Sequence, residues 1–297
     1  MKKILMCFFL IPTLSFASIE IVAPHAPGGP SDMISRSIHF YLSKEKYNII
    51  YKPGAGTLIG IRHTINNDAM LISTFIQTFV TNPKIYPNLD YNPDNDLEII
   101  ATVAVMPSVL VCSKKTNLKT FEDFESYDKK LNFGIAGYGS TEHIATEILF
   151  MQVEKNHTLI PYSKGGANAV KDLIGGHIDC IFSNYPTIKK HVDNDSLVFL
   201  ISTHNVDPDI KNWGQKFNTK FPIQSIIGLV VNSKLDVDLK NSILEDLKNQ
   251  LHNSADKLSA LGFFPLISID KADIQDAIDN NKMMKDIIEK RNIKLKN

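Results

Sequence analysis

The sequence predicts an α/β protein with two lobes, and three observations support that prediction. Short apolar runs typical of β-strands alternate along the chain with patterns of helical spacing. Two segments, IVAPHAPGGPSDMISR and FGIAGYGSTEHIATEI, share the order strand, glycine turn, polar residue and helix. They lie about 110 residues apart, so we expect each half of the chain to contribute one strand–turn–helix unit to a common cleft.

The apolar runs define ten expected strands. Because helical patterns separate many of them, we expect largely parallel sheets, and the last 60 or so residues are expected to be mostly helical. The runs are IEIVAP (19–24), YNIIYK (47–52), AMLIST (69–74), LEIIATVAV (97–105), SVLVCSK (108–114), LNFGIAG (131–137), TLIPYS (158–163), IDCIFSN (178–184), LVFLIS (197–202) and IIGLVVN (226–232).

Residues 1–17 have the three parts of a secretory signal peptide. Two lysines precede the apolar run Ile4–Leu14, and Ser15 and Ala17 place small residues before a cut at Ser18. The run is too short to span a bilayer. A buried N-terminal strand is the alternative interpretation. We therefore expect an exported, periplasmic protein.

The charge composition argues against two kinds of ligand site. Removal of residues 1–17 leaves 30 basic residues against 32 acidic ones, which gives no basic surface for nucleic acid. Only three arginines exist, Arg36, Arg62 and Arg291, so a site built from clustered guanidinium groups is not expected. An anionic ligand would therefore have to be bound by backbone N–H groups, hydroxyls or imidazole.

Two cysteines follow the signal segment, Cys112 and Cys180, and each lies in an apolar run. An exported protein can join them in a disulfide. Two separately buried thiols are the interpretation we favour, although spacing alone does not decide between the two. No pair of cysteines or histidines has metal-ligand spacing, so we expect no metal and no cofactor.

The first glycine turn, which contains Pro27, Gly28, Gly29, Ser31 and Asp32, has two interpretations. Its glycines allow positive φ and close approach of a ligand to the backbone. Ser31 or Asp32 can cap the following helix, whose N-terminus favours an anion. A tight turn with an ordinary cap explains the same residues. The sequence alone does not separate the two.

The second glycine turn raises the question of catalysis, because Ser140 and His143 are three residues apart. A serine nucleophile needs a base within reach, but the G-x-S-x-G elbow is absent. A helix-capping serine would instead use its oxygen on backbone N–H groups. Anion capture by Tyr138, Gly139, Ser140 and Thr141 is the better-supported interpretation. His143 could also lie at the helix start facing solvent or the cleft, with no chemistry.

Four stretches carry a resemblance to a known family. IVAPHAPGGPSD, KPGAGTLIG, FGIAGYGSTEH and IPYSKGGANAVKDLIGGHIDCIF occur in one order behind the signal segment. In this order they resemble the substrate-binding proteins of tripartite tricarboxylate transporters, the TctC or Bug family. The resemblance extends from about Ile19 to the C-terminal helices.

The resemblance implies a type II periplasmic binding-protein fold, with two α/β lobes that close on a small ligand. Lobe 1 would comprise residues 18–107 and 203–297, and lobe 2 residues 108–202, after removal of residues 1–17. The implied ligand is a small carboxylate. The implied partner is a membrane transporter with one large and one small integral subunit. We expect a monomer with no catalytic residues.

The resemblance also implies the ligand contacts. His25 stands where the family commonly has an aromatic residue such as phenylalanine, and it is included because it can face the cleft. The contacts implied are His25, Pro27, Gly28, Gly29, Ser31 and Asp32 on the first turn, Phe75, Gln77 and Thr78 after AMLIST, Ala136, Tyr138, Gly139, Ser140, Thr141 and His143 on the second turn, and Asn184 after IDCIF.

Three functions remain open at this stage. The leading one is a solute-binding protein for a small organic anion. A second is a ligand sensor of the same fold that docks on a receptor kinase. A third, from a different class, is an exported α/β hydrolase that uses Ser140. The sequence does not identify the anion, which could be a dicarboxylate, a tricarboxylate, an acidic amino acid or an aromatic acid.

Overall fold

A computed structural model describes residues 18–86, 88–155, 157–162, 166–191, 197–279, 283–290 and 292. The predicted signal peptide, residues 1–17, lies outside these residues. No helix within the described ranges is both long and apolar enough to cross a membrane.

Eleven strands form in the described part of the chain, and all ten predicted runs are among them. The eleventh, β11, was not predicted; it lies in the C-terminal region, which is otherwise mostly helical, as expected. The strands are β1 (Ile19–Ala23), β2 (Tyr47–Tyr51), β3 (Ala69–Thr74), β4 (Leu97–Val105), β5 (Ser108–Ser113), β6 (Asn132–Ile135), β7 (Thr158–Pro161), β8 (Cys180–Asn184), β9 (Leu197–Ser202), β10 (Ile226–Asn232) and β11 (Phe264–Ser268).

The strands form two sheets, in the orders β11-β4-β10-β3-β1-β2 and β7-β6-β8-β5-β9. Strand β1 pairs in parallel with β2 and β3, and β6 pairs in parallel with β7 and β8. The remaining described pairs are antiparallel. The prediction of largely parallel sheets was therefore wrong. Every described antiparallel pair involves β4, β5 or β10, the strands next to the points where the chain crosses between the two sheets.

Helices cover both faces of each sheet, as the alternation of strands and helices predicts. A π-helical segment, Ile76–Thr81, follows β3. The α-helices are α1 (Pro30–His39), α2 (Leu58–Asn66), α3 (Asn82–Ile85), α4 (Pro93–Asp96), α5 (Phe121–Ser126), α6 (Thr141–Gln152), α7 (Gly166–Gly175), α8 (Tyr185–Ile188), α9 (Trp213–Phe217), α10 (Val237–Gln250), α11 (Ala255–Ala260), α12 (Lys271–Asp279) and α13 (Met283–Lys290).

Several segments outside the second sheet's own strands pack into its core. Trp213 of α9 is 1% exposed there, beside Phe221. Ile288 of α13 and Ile85 of α3 belong to the same cluster. The two sheets are therefore joined by these apolar contacts as well as by the strands that cross between them.

Cys112 and Cys180 form a disulfide, which corrects the interpretation as separate thiols. The two residues are direct partners in the antiparallel pairing of β5 with β8. Spacing along the chain could not show this pairing, because 68 residues separate the cysteines. A disulfide that closes a loop of this length typically stabilises a protein by about 2–4 kcal/mol.

Candidate functional site

Three loops meet at one edge of the first sheet. Strands β1, β2 and β3 run in parallel, so their carboxyl ends lie side by side. The loop after β1 comprises residues 24–29, and we call it the first glycine loop. The loop after β2 comprises residues 52–57, and β3 is followed by the π-helical segment Ile76–Thr81. In open α/β sheets, ligands bind outside the carboxyl ends of the strands.

The first glycine loop leads into α1 with Gly29 at the N-cap position and Pro30 in the first turn. The N–H of Gly28, a residue at φ +89°, donates to Oδ2 of Asp32 at 2.8 Å. Neither Ser31 nor Asp32 caps the helix, so that prediction was wrong. Asp32 instead fixes the loop by holding the residue before the N-cap, and Pro27 and Gly28 stay exposed.

Two further donors fix the Asp32 carboxylate. Its Oδ1 accepts from Nε of Arg36 at 2.7 Å and from the hydroxyl of Tyr51 at 2.6 Å. Burial acts to raise the pKa of Asp32, but the bonds from Tyr51, Gly28 and Arg36 outweigh it and lower the pKa below its ordinary value. The carboxylate is therefore ionised and fully engaged at neutral pH.

His25 lies at the start of the same loop and is half-buried. Its Nδ1 lies 3.2 Å from the hydroxyl of Ser31, which is itself buried. Burial lowers the pKa of His25 to about 4, so the ring is neutral at pH 7. His25 can therefore offer a hydrogen bond to an anion but not a positive charge.

The three predicted contacts after β3 are buried. Phe75 is 2% exposed and its ring lies against Gly228 in the core of the first sheet. Thr78 bonds Ser73, and its carbonyl accepts the hydroxyl of Tyr91 at 2.9 Å.

Gln77 is also buried, and it connects two of the three loops. Its Nε2 donates to the carbonyl of Gly56 at 3.3 Å, and Nδ2 of Asn82 donates to the same oxygen. This segment is π-helical, a rare geometry that is frequent at functional sites.

The second glycine loop, residues 136–140, follows β6 and opens α6. Gly137 and Gly139 have φ of +117° and +78°, and Ala136 and Tyr138 are partly exposed. Ser140 is the N-cap residue, and its Oγ accepts the N–H of His143 at 3.1 Å. The expectation that Ser140 caps its helix is confirmed.

His143 is buried beneath the second glycine loop and supports it. It is 2% exposed, its Nδ1 accepts the N–H of Gly139 at 2.9 Å, and its ring packs edge-on against Tyr138. Burial lowers its pKa to about 4. Backbone N–H groups therefore already engage Oγ of Ser140 and Nδ1 of His143, two atoms that a serine–histidine pair would use.

The two glycine loops belong to edges that face each other. Oγ1 of Thr81, at the end of the π-helical segment, donates to the carbonyl of Gly139 at 2.9 Å. A Cβ added at Gly139 would lie 2.2 Å from Cδ1 of Ile85. Near the crossing strands, Oγ of Ser225 donates to Oγ1 of Thr141 at 3.4 Å. We call the space between these edges the cleft.

Asn184 ends β8 beside the chain crossing into β5. Its Oδ1 accepts from Oγ of Ser108 at 3.4 Å, and its Nδ2 donates to Oε1 of Glu142. Glu142 was missed as a site residue, although it lies between Ser140 and His143. The sequence feature that could have identified Glu142 is an acidic residue in the first turn of the helix that begins at the predicted anion site.

Two cavities lie near these residues. One, about the size of a single water molecule, lies behind Thr141 among the crossing segments, next to Thr203 and Ser225. A larger groove of about 430 Å³ lies on the outer side of the π-helical segment and contains none of the predicted contacts. Within the described ranges, no group of three His, Cys, Asp or Glu side chains could hold a metal ion.

The sequence profile described as "Tripartite tricarboxylate transporter family receptor", TctC, matches residues 46–293. The chain belongs to the TctC family. It is 26% identical over 266 residues to a protein of Agrobacterium vitis named "UPF0065 protein in the TAR-I ttuE-ttuC' intergenic region", a match that covers 84% of this chain and 76% of that protein. It is also 26% identical to protein BugT of Bordetella pertussis, over 60% of this chain and 58% of BugT.

Solved structures confirm the fold prediction for this TctC-family protein. The periplasmic binding protein BugD superposes with a TM-score of 0.83 at 19% identity, over 94% of this chain and 99% of BugD. Rpa4515 of R. palustris with adipate has the same TM-score at 20% identity, over 94% and 98% of the two chains. MatC of Rhodopseudomonas palustris with bound malate superposes at 0.78 and 20% identity, over 91% and 98%.

We predict that Asp32→Asn destabilises this TctC-family protein by about 1–3 kcal/mol at pH 7, because a buried carboxylate with three donors loses its charge. The pKa of Asp32 is lower in the folded state than its ordinary 3.8. Its contribution is therefore present above pH 3.8 and lost as the pH falls through the folded value. Urea unfolding of both proteins from pH 7 to about pH 3 measures the difference.

The matched control is Asp90→Asn, which removes a carboxylate paired with Arg62 at the surface, where Asp90 is 50% exposed. Solvent screening makes such pairs weak, so a smaller change is expected. Equal effects of the two substitutions, or an Asp32 effect that persists undiminished below the folded pKa, would contradict the account.

The second glycine loop gives a steric prediction. Gly139→Ala introduces a Cβ that clashes with Cδ1 of Ile85, and overpacking of this kind costs about 1–3 kcal/mol in addition to the strain of positive φ. Gly137→Ala also places a side chain at positive φ, here +117°, but its Cβ meets nothing within 4 Å. Urea unfolding measures both losses, and only that of Gly139→Ala should depend on Ile85.

Ile85→Val tests whether the clash is the cause, because it removes only Cδ1. Combined with Gly139→Ala, it should recover part of the lost stability, giving a favourable coupling between the two sites. Strictly additive losses in the double variant would show that Gly139 is not constrained by Ile85.

Proposed function

We propose that this protein binds a small carboxylate in the cleft and delivers it to a membrane transporter with one large and one small integral subunit. The observation that carries the proposal is the contact of Thr81 and Ile85 with Gly139, which puts the carboxyl edges of the two sheets opposite each other. Helices α1 and α6 begin at these edges, and a helix N-terminus presents N–H groups and a partial positive charge to an anion.

The comparisons support a carboxylate as the ligand. Two structural neighbours, Rpa4515 and MatC, hold adipate and malate, and both are dianions at neutral pH. Among the described residues, the rings of His25 and His143 are neutral and Arg36 is engaged by Asp32, so backbone N–H groups and hydroxyls remain as donors beside the glycine loops. We propose that no catalytic step occurs, and that a monomer without metal or cofactor suffices.

We further propose that the lobes divide where the chain crosses between the sheets. Lobe 1 comprises residues 18–107 and 203–297, and lobe 2 comprises residues 108–202. Helices α9 and α13 start from lobe-1 segments and pack on the second sheet, so they link the lobes. A ligand that contacts both loops binds the closed arrangement more tightly than an open one and favours closure by that difference.

A thermal-shift screen tests the binding function. At a hundredfold excess over the dissociation constant, a bound ligand stabilises the folded state by about 2.7 kcal/mol, which raises Tm by roughly 5 °C for a chain of this size. We expect this shift with at least one small carboxylate and none with its methyl ester, because the ester lacks the anion. A panel of mono-, di- and tricarboxylates that leaves Tm unchanged would contradict the proposal.

Export is tested on protein recovered from the periplasm. We expect its N-terminus at Ser18, since residues 1–17 have the form of a signal peptide. Denatured without reductant it should show no free thiol, and after reduction two, from the Cys112–Cys180 disulfide. An intact N-terminus at Met1, or two free thiols before reduction, would contradict export into an oxidising compartment.

A further inference from the structure

The cleft contains an acidic side chain that a site for simple carboxylates does not require. Glu142 lies in the first turn of α6, two residues after the N-cap Ser140. Its neighbours Thr141 and His143 are buried, whereas Glu142 remains partly exposed. Glu142 is therefore less enclosed than the residues on either side of it.

The Glu142 carboxylate is held by Asn184 and lies close to the start of α7. Nδ2 of Asn184, at the carboxyl end of β8, donates to Oε1. A Cβ added at Gly166, the first residue of α7, would lie 3.7 Å from the same oxygen and 3.8 Å from Cβ of Ala136. The carboxylate thus lies over the carboxyl ends of β6 and β8, where an open α/β sheet binds its ligand.

No cation of the protein neutralises this carboxylate in the part of the chain that the structure describes. The ion pairs found there involve other acids, and Asn184 supplies a neutral donor. Burial raises the pKa of Glu142 against its hydrogen bonds to the backbone, Ser140 and Asn184. A charge in this setting is costly unless an opposite charge is brought to it.

We infer that Glu142 binds a positively charged group of the ligand, so that the solute carries an ammonium group as well as a carboxylate. This inference rests on the proposed function and narrows its ligand class to amino acids and related amino carboxylates. The ammonium group would donate to Glu142 while the ligand carboxylate contacts the glycine loops. A second carboxylate at the same place would meet Glu142 as a like charge, which disfavours dicarboxylates that lack the amine.

The test compares ligands that differ only by the ammonium group, with calorimetry on the mature protein in buffer containing EDTA. The pairs are L-aspartate with succinate, L-glutamate with glutarate, and β-alanine with propionate. We expect the amine-bearing member of at least one pair to bind more tightly by roughly tenfold to a hundredfold, the range for a hydrogen bond between charged groups.

The variant Glu142→Gln should abolish that preference, because it keeps the shape and the acceptor for Asn184 but removes the charge. Glu122→Gln is the matched control. It removes one surface carboxylate from α5, paired with Lys211 and Lys216, and should keep the preference. Unchanged thermal unfolding of Glu142→Gln would show that a loss of preference is not a loss of folding.

Two results would overturn the inference while the proposed function stands. One is that the parent protein binds the amine-bearing member more tightly in none of the three pairs. The other is a preference that survives in Glu142→Gln. If no member of any pair binds, and a wider panel of carboxylates also fails, the proposed function itself is contradicted and the inference falls with it.

Discussion

The candidate site depends on one close contact between the two halves of the molecule. Gly139 has φ +78° and lies so near Ile85 that any side chain would overlap Cδ1 of that residue. Its carbonyl accepts a hydrogen bond from Thr81, while its N–H is held by His143. The N–H and the carbonyl of Gly139 are thus both satisfied within the protein, and its positive φ and closeness to Ile85 favour glycine at this position.

The electrostatics of the cleft follow from how its few charges are used. Asp32 does not present its charge to a ligand, because Gly28, Arg36 and Tyr51 take up its oxygens. Arg36 of α1 is occupied by the same carboxylate. Glu142 is the contrasting case, a partly exposed acid with a neutral partner in Asn184. Among the described residues no basic side chain pairs with Glu142, and on this ground we infer a ligand that carries both signs of charge.

Local features of the fold were predictable from the sequence, and pairings between distant segments were not. The ten apolar runs were strands because each combines β-branched or aromatic residues with nearby turn residues. The antiparallel pairing of β5 with β8 and the Cys112–Cys180 disulfide join segments that are far apart in sequence, so no local pattern marks them. Strand β11 was missed because the apolar run Phe264–Ser268 is short and lies between helices.

In the candidate site, too, local features were predictable from the sequence and contacts between distant segments were not. The cap at Ser140 follows from a serine before a helical pattern, and the structure confirms it. The role of Asp32 was predicted in the wrong form, because its partners Tyr51 and Arg36 are recognisable only once β2 and α1 lie side by side. Thr81 and Ile85 gave no signal in the sequence, since they matter only through the opposite sheet.

A crystal structure of the mature protein with a bound ligand, chosen from the carboxylates that raise its Tm, tests the central claim most directly. The account predicts that the ligand lies between the first and second glycine loops, with its carboxylate within hydrogen-bond distance of backbone N–H groups of both, and with Gly139 still in contact with Thr81 and Ile85. A ligand seated elsewhere, for example in the groove on the outer side of the π-helical segment, would contradict it.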